Sequence, residues 1–350
     1  MAVGVSYLPQ FTTLQLKTLY KMNTINTISA WPPVRVSIQP DNSYRTYKDD
    51  QNPQVLFEKA TRYLDSLRSN YTKEQQNTLA RETSEAVIHA IFGSNMIEQA
   101  GFNWQPTLQI CRNVIRQNGK YTLDPYSDIG DSWTGHSALS GKSHDELARG
   151  YCEVAQHMMA FQNIIHHFVT AGGEMTEGLI KDTHAILCKH ISIIDPEHPE
   201  VPWGKYAGKY RDVAVGAGNT MFIMPKFVPA KMAEMCADLQ REIEEGEASR
   251  GILDPFSLAS KYSLKFVEIH PLQDGNGRMC RLILNAILLR YAGVIVAIGE
   301  TEEDRIEYID IKKRASRDME GHGEYATFVL KKAVKGIQKL KQKLQGKKSS

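Results

Sequence analysis

The sequence predicts a mainly α-helical protein carrying one short β-hairpin. Three observations lead there. From Leu56 onward, apolar residues recur at a 3.6-residue period through most of the chain. Only one stretch, between Asp195 and Pro225, joins alternating valines (Val213, Val215) to turn chemistry (GAGN) and a short apolar run, MFIM. Finally, two strongly apolar helical patterns, FSLASKYSLKFVEIH and RMCRLILNAILLRYAG, enclose a loop-like segment within HPLQDGNGRMCR, His270 to Arg281.

Composition bounds the class. The 350 residues carry 42 Lys and Arg against 40 Asp and Glu, a formal net charge of +2. That balance offers no footprint for nucleic acid, and no nucleic-acid partner is expected. Five cysteines are scattered without a C-x-x-C pair, which suits a reducing compartment and speaks against a zinc module. No apolar run approaches the roughly 20 residues of a membrane helix. The first 40 residues hold three basic residues, no acid and many Ser and Thr. They resemble a transit peptide faintly but are poor in arginine, so a polar tail is the reading and a mitochondrial address the lesser alternative.

In chain order, residues 1–54 read as a polar, poorly ordered tail or loosely packed arm. Residues 55–174 form an N-terminal helical region. There Leu79, Thr83, Ala86, Val87, Ala90 and Ile91 share one helical face, and the helix is expected to end near Phe92-Gly93. Ser94 then looks like the N-cap of a second, short helix with Glu98 near its positive end. The Gly/Ser/Asp-rich residues 117–146 read as a long surface loop. Helices are expected at about 146–170, 175–192, 229–245, 255–270, 277–292, 302–318 and 324–345. In the last, Val334, Ile337, Leu340 and Leu344 share a face that docks, leaving the lysines to water. Eight lysines and no acid follow Glu324; an acidic partner or membrane surface is the alternative use of that tail.

The twelve-residue segment carries the chemistry. Leu258, Tyr262, Phe266 and Ile269 end a core helix at His270, and the next helix opens at Gly-Asn-Gly. A helix N-terminus exposes unpaired N–H groups and the positive end of a dipole. Glycines let backbone wrap a ligand closely, so the site reads as an anion nest suited to phosphate. Arg278 and Arg281 sit in the first turns, where cations are unfavourable unless an anion or a carboxylate is their partner. Asp274 can hold a divalent metal that phosphates share. His270 can take a proton near neutral pH. No P-loop pattern is present. Base, metal ligand, nest and arginines together indicate phosphoryl or nucleotidyl transfer.

HPLQDGNGRMCR resembles the Fic-domain signature H-x-F-x-[DE]-G-N-G-R-x-x-R. MTEGLIKDTHAIL, AGKYRDVAVGAG, MFIMPKFVPAKMAEM and DPFSLASKYSLKFVEIHPL resemble further Fic segments in the expected order, so the resemblance covers about residues 175–300. Leu272 stands where the family usually has Phe. The resemblance implies the Fic fold, a helical core with a β-hairpin flap, over 175–300, followed by a C-terminal helical region with a basic tail, 301–350. It also implies transfer of AMP from ATP, with Mg2+ or Mn2+, to a Ser, Thr or Tyr hydroxyl of a protein target or of the chain itself. His270 would deprotonate the hydroxyl and Asp274 would ligate the metal. Gly275, Asn276 and Gly277 would hold the α-phosphate, Arg278 the β- and Arg281 the γ-phosphate. The flap, with Val213, Val215, Met221 and Phe222, would pair with an extended target segment. Tyr308 is a weak match to the family's adenine-pocket tyrosines.

SNMIEQAG resembles the family's inhibitory motif [ST]-x-x-x-E-[GN], with Gln99 at the last position. By that likeness Ser94 and Glu98 lie on an N-terminal inhibitory helix near residues 94–99, and Glu98 pairs with Arg281 and blocks the γ-phosphate. In some relatives the same glutamate serves AMP removal. The rival readings are a Fic protein moving another nucleotidyl or phospho group, an HD-type phosphohydrolase drawing on His144-Asp145 or His166-His167, and a non-enzymatic helical scaffold. The chain lacks the membrane anchor and helical repeats of animal endoplasmic-reticulum members, so a cytoplasmic or nuclear site is expected. The family's habit of dimerising makes a homodimer an expectation too.

Overall fold

The computed structural model describes residues 37–46, 52–67, 71–117, 141–217, 220–248, 251–317 and 321–346. Most of the expected surface loop, 118–140, and the first 36 residues lie outside them. Helices dominate: α1 (Pro53–Ser66), α2 (Lys73–Ile97), α3 (Trp104–Gln117), α4 (His144–Ile164, continued by a π-turn, Ile165–Thr170), α5 (Glu177–Leu187) and the single turn α6 (Trp203–Tyr206). Then come α7 (Val228–Ala248), α8 (Pro255–Ile269), α9 (Asn276–Tyr291), α10 (Glu302–Arg317) and α11 (Gly323–Leu344). Among the described residues six short strands make three two-stranded pairs: β1 (Ser37–Ile38) parallel with β6 (Ile252–Leu253), and the hairpins β2 (Ile193–Asp195) with β3 (His198–Val201) and β4 (Gly216–Ala217) with β5 (Thr220–Met221).

The core is built around α8 and α9. Every residue of α9 except Gly277 is buried, including both arginines of the motif, so other elements must enclose it. α11 docks by the face the sequence marks, with Ile337 fully buried and Val334 nearly so. Helix starts follow capping chemistry. Asn52 accepts from the N–H groups of Gln54 and Val55 ahead of Pro53. Thr72 with Gln75, and Ser143 with Glu146, form capping boxes. Asp254 caps α8 ahead of Pro255.

Three expectations are corrected. α2 does not stop at Gly93 but runs to Ile97, so Ser94 lies inside its last turn and caps nothing. Gly93 is there for packing, since a Cβ would come 2.5 Å from the Ile298 carbonyl oxygen. The 195–225 stretch carries two hairpins rather than one, β2–β3 at its start ahead of the expected β4–β5, and it is not the sole strand region, because β1–β6 pair outside it. Lastly, residues 37–46 of the supposed tail are fastened down. Tyr44 donates to the Asp254 carboxylate at 2.9 Å, Ser43 Oγ meets Ser257 Oγ at 2.9 Å, and the Asp41 N–H bonds Asp254 at 3.0 Å. The arm thus straps the start of α8, the helix that ends at His270.

Candidate active site

His270 terminates α8 in the left-handed region, φ 49°. That conformation turns the chain sharply and brings the side chain out beside the following loop. Its Nδ1 lies 3.2 Å from the Val267 carbonyl oxygen. A carbonyl only accepts, so Nδ1 carries the proton and Nε2 keeps a free lone pair. Burial lowers the imidazole's pKa, only partly offset by the Val267 carbonyl. The ring is therefore neutral at pH 7, the state a general base requires. Phe222 of the flap stacks on it, with centroids 3.7 Å apart and planes at 11°.

The loop behind His270 is locked from three sides. Leu272 is fully buried, which gives it the anchoring role expected despite its smaller volume. Asn276 spans the loop, accepting from the Leu272 N–H at 3.0 Å and donating to the Leu272 carbonyl at 2.8 Å. Its side chain is thus committed to shaping the loop, and only its N–H faces an anion. Gly275 takes φ 77° and leaves the N-terminus of α9 without a side-chain cap. The free N–H groups of Gly275, Asn276 and Gly277 are the nest the sequence suggests.

His184 of α5 buttresses the nest. Its Nε2 donates to the Asp274 carbonyl at 3.1 Å and its Nδ1 accepts from the Gly208 N–H at 3.0 Å. Burial pushes its pKa to about 4, so it acts as a fixed neutral spacer. The Asp274 side chain is half-exposed, and Arg278 reaches it at 3.2 Å. Arg278 is 5% exposed, yet its Nε and Nη1 are buried without any hydrogen-bond partner. A buried cation with idle donors at a bare helix N-terminus is the signature of a site built for an anion.

Arg281, one turn on, is fully engaged. Nε donates to Ser94 Oγ at 2.8 Å and Nη2 to the Ser94 carbonyl at 3.1 Å; Nη2 also pairs with Glu98 Oε1 at 2.5 Å. The Glu98 carboxylate lies over Gly277 so closely that a Cβ there would collide with it. Glu98 is the C-cap of α2, and the next residue, Gln99, takes φ 54°. That left-handed position explains the preference for Gly or Asn in the resembled motif, and Gln99 adopts it nonetheless. α4 holds this turn from behind. His157 Nδ1 meets Asn95 Oδ1 at 2.7 Å and Glu153 accepts the Gly101 N–H at 2.6 Å.

Arg211 joins flap to motif and was missed by sequence reasoning. Only 4% exposed, it donates to the carbonyls of His270 (2.6 Å), Val213 (3.0 Å) and Ile223 (2.5 Å). Of the flap residues singled out, Phe222 reaches the histidine. Val213 and Met221 are exposed, and Val215 accepts the Phe222 N–H at 3.4 Å. His184 and His157 also carried no signal, since an isolated histidine on a helical face reads as any polar residue. Tyr308 is corrected. It is 4% exposed, packed on Tyr325 and Phe328, with Arg281 5.7 Å from its ring, and offers no open surface to a base. The HD alternative finds no metal cage at either pair: among the described residues no three His, Cys, Asp or Glu side chains come together, and the two pairs, at opposite ends of α4, are more than about 30 Å apart at 1.5 Å per helical residue and cannot combine.

Comparison with known proteins agrees with this geometry. The Fic/DOC family sequence profile matches residues 174–288. A Fido domain-containing protein of Dictyostelium discoideum is 30% identical over 110 residues, covering 31% of this chain and 72% of that protein. Protein adenylyltransferase fic-1 of Caenorhabditis briggsae is 36% identical over 104 residues, but the match takes in 29% of this chain and only 18% of the relative's length. The solved structure of Fic-1 (residues 134–508) from Caenorhabditis elegans superposes with a TM-score of 0.61, covering 84% of this chain and 73% of that one. At 20% identity that last likeness concerns the fold.

Proposed function

The chain belongs to the Fic/DOC family, and on that premise we propose that it transfers AMP from ATP to a hydroxyl side chain of a protein. The observation that carries this reading is the union, in one loop, of a neutral half-buried histidine with a free Nε2, a bare N–H nest and a buried arginine with idle donors. The curated relatives named protein adenylyltransferases favour AMP over another transferred group.

His270 Nε2 accepts the proton as the hydroxyl oxygen attacks the α-phosphorus, a role worth about 10²–10⁴ in rate. A new P–O bond forms to the target, and the bond between the α-phosphorus and the bridging oxygen breaks. The electron pair leaves with pyrophosphate. The N–H groups of Gly275, Asn276 and Gly277 receive the charge that builds on the α-phosphate oxygens. Arg278 turns its idle donors to the β-phosphate. Arg281 takes the γ-phosphate after leaving Glu98, so the resting protein is held off.

Asp274 fits a divalent ion such as Mg2+. Its carboxylate is 41% exposed beside the nest, and a single carboxylate suits an ion that keeps most of its ligands as water and phosphate oxygens. When bound, the ion would neutralise phosphate charge. Among the described residues no cluster of three His, Cys, Asp or Glu side chains offers an all-protein cage.

The test is intact-mass analysis of Glu98→Gly protein after ATP and Mg2+, with and without His270→Ala. One covalent AMP per chain, with release of pyrophosphate, is expected only where His270 is present. Free AMP in solution with no adduct on the chain or any lysate protein would refute the reading.

A further inference from the structure

The surface beside the catalytic histidine is unusually apolar. Among the described residues eight large apolar side chains are exposed, and four of them lie between residues 213 and 227: Val213, Met221, Met224 and Phe227. Next to them opens a groove of about 220 Å³. Its apolar wall is Ile223, Met235 and Ile269. Ile223 follows Phe222 and Ile269 precedes His270, the two rings that stack, and Arg211 ties the Ile223 and His270 carbonyls to one guanidinium. The mouth of the groove is therefore fixed one residue from the base.

Its charges are unequal. Lys231 pairs with Glu234 at 2.6 Å and Lys265 with Asp238 at 3.2 Å. The fifth, Glu268, makes no ion pair within 4 Å among the described residues, and Lys312 and Lys265 act on it at longer range. The lining thus sets three carboxylates against two lysines, a net acidic rim beside Ile269.

We infer that this groove reads the target's sequence: it takes a large apolar side chain two residues from the modified hydroxyl, while Glu268 takes a lysine or arginine beside it. This rests on the transfer reading above. Any hydroxyl presented to His270 Nε2 brings its chain neighbours over this surface. In an extended segment, residues two apart face the same side, about 7 Å along the chain. Ile269, a wall residue of the groove, is the chain neighbour of His270, so a segment of that spacing spans from one to the other. A groove with an apolar wall and a net acidic rim discriminates by burial and by charge together.

The experiment needs no turnover. Fluorescent ten-residue peptides with a central serine are titrated against His270→Ala protein and followed by anisotropy. One peptide has Leu two residues from the serine and an adjacent Arg; in the others Asp replaces the Leu or Glu replaces the Arg. The first should bind at least about tenfold tighter than either relative. Glu268→Lys, a surface change, should invert the Arg/Glu preference and keep the Leu preference. Ile223→Ser should erase the Leu preference alone. Equal binding of all three peptides, or an Arg preference that survives Glu268→Lys, overturns the inference. So does a concentration-dependent dimer that Ile223→Ser abolishes without any peptide binding, which would make the groove a contact between two copies of the chain. AMP incorporation by Glu98→Gly protein is read separately. Its absence removes the transfer reading and leaves the binding result to stand or fall by itself.

Discussion

Removing the Glu98 carboxylate should switch the site on. In the resting structure that group occupies Arg281 and crowds Gly277. A charge-assisted hydrogen bond is worth about 1.5–3 kcal/mol. Glu98 is 35% exposed, so solvent screening reduces this to about 1–2 kcal/mol. ATP must overcome that amount to seat its γ-phosphate, a factor of roughly 5–30. Repulsion between carboxylate and phosphate adds to it. Glu98→Gly should therefore raise the initial rate of AMP incorporation from labelled ATP by at least about tenfold. Glu98→Gln, which keeps an acceptor but loses the charge, should fall between variant and wild type. A second reading comes from melting curves. Without nucleotide the variant leaves Arg281, among the described residues, with Ser94 and Tyr308 as hydrogen-bond partners, and it should melt a few degrees lower. ATP at one hundred times the variant's Kd should then stabilise the variant by about 2.7 kcal/mol and wild type by about 1–2 kcal/mol less. Equal labelling together with equal ATP-induced shifts would refute the inhibitory role of Glu98.

Other consequences are as direct. Burial lowers the His270 pKa, so in the Glu98→Gly background the acid limb of activity, as the base protonates, should have its midpoint below the ordinary imidazole value of 6.5. Phe222→Ala exposes the ring and should move that acid limb upward towards pH 6.5. Arg211→Ala strips the donor from three carbonyls and should cost about 3 kcal/mol, with faster amide exchange confined at first to residues 211–224 and a loss of transfer. Burial also raises the Asp254 pKa from 3.8 to about 6. The folded state then binds this proton more tightly than the unfolded chain. Its contribution favours folding below about pH 4 and is lost as pH rises through about 6, by about 3 kcal/mol at most. Asp254→Asn should flatten that part of the stability–pH curve measured by urea unfolding.

Local rules in the sequence were enough for much of this protein. The helices after residue 228 could be placed within about three residues, because their apolar faces are long and their ends carry Asp-Pro, Gly-Asn-Gly and Gly signals that act within one turn. His270, Asp274, Gly275, Gly277, Arg278 and Arg281 were legible for the same reason: the nest is one short contiguous loop. The pairing of Glu98 with Arg281 was also foreseen, but by likeness to a motif, since no periodicity links positions 183 residues apart.

Tertiary structure decided what depends on contacts across the chain. Gly93 read as a helix end until Ile298, 205 positions away, turned out to pack against its missing Cβ. The arm at 37–46 looked like a tail because its partners, Asp254 and Ser257, are more than 200 residues distant. Arg211 showed only as part of a loop, and its role as the clamp between flap and motif exists solely in three dimensions. The chain by itself marked the candidate groups of the site. Packing decided how they are aimed, which tautomer His270 holds and what keeps Arg281 occupied, because side-chain direction and burial are set by neighbours that sequence distance hides.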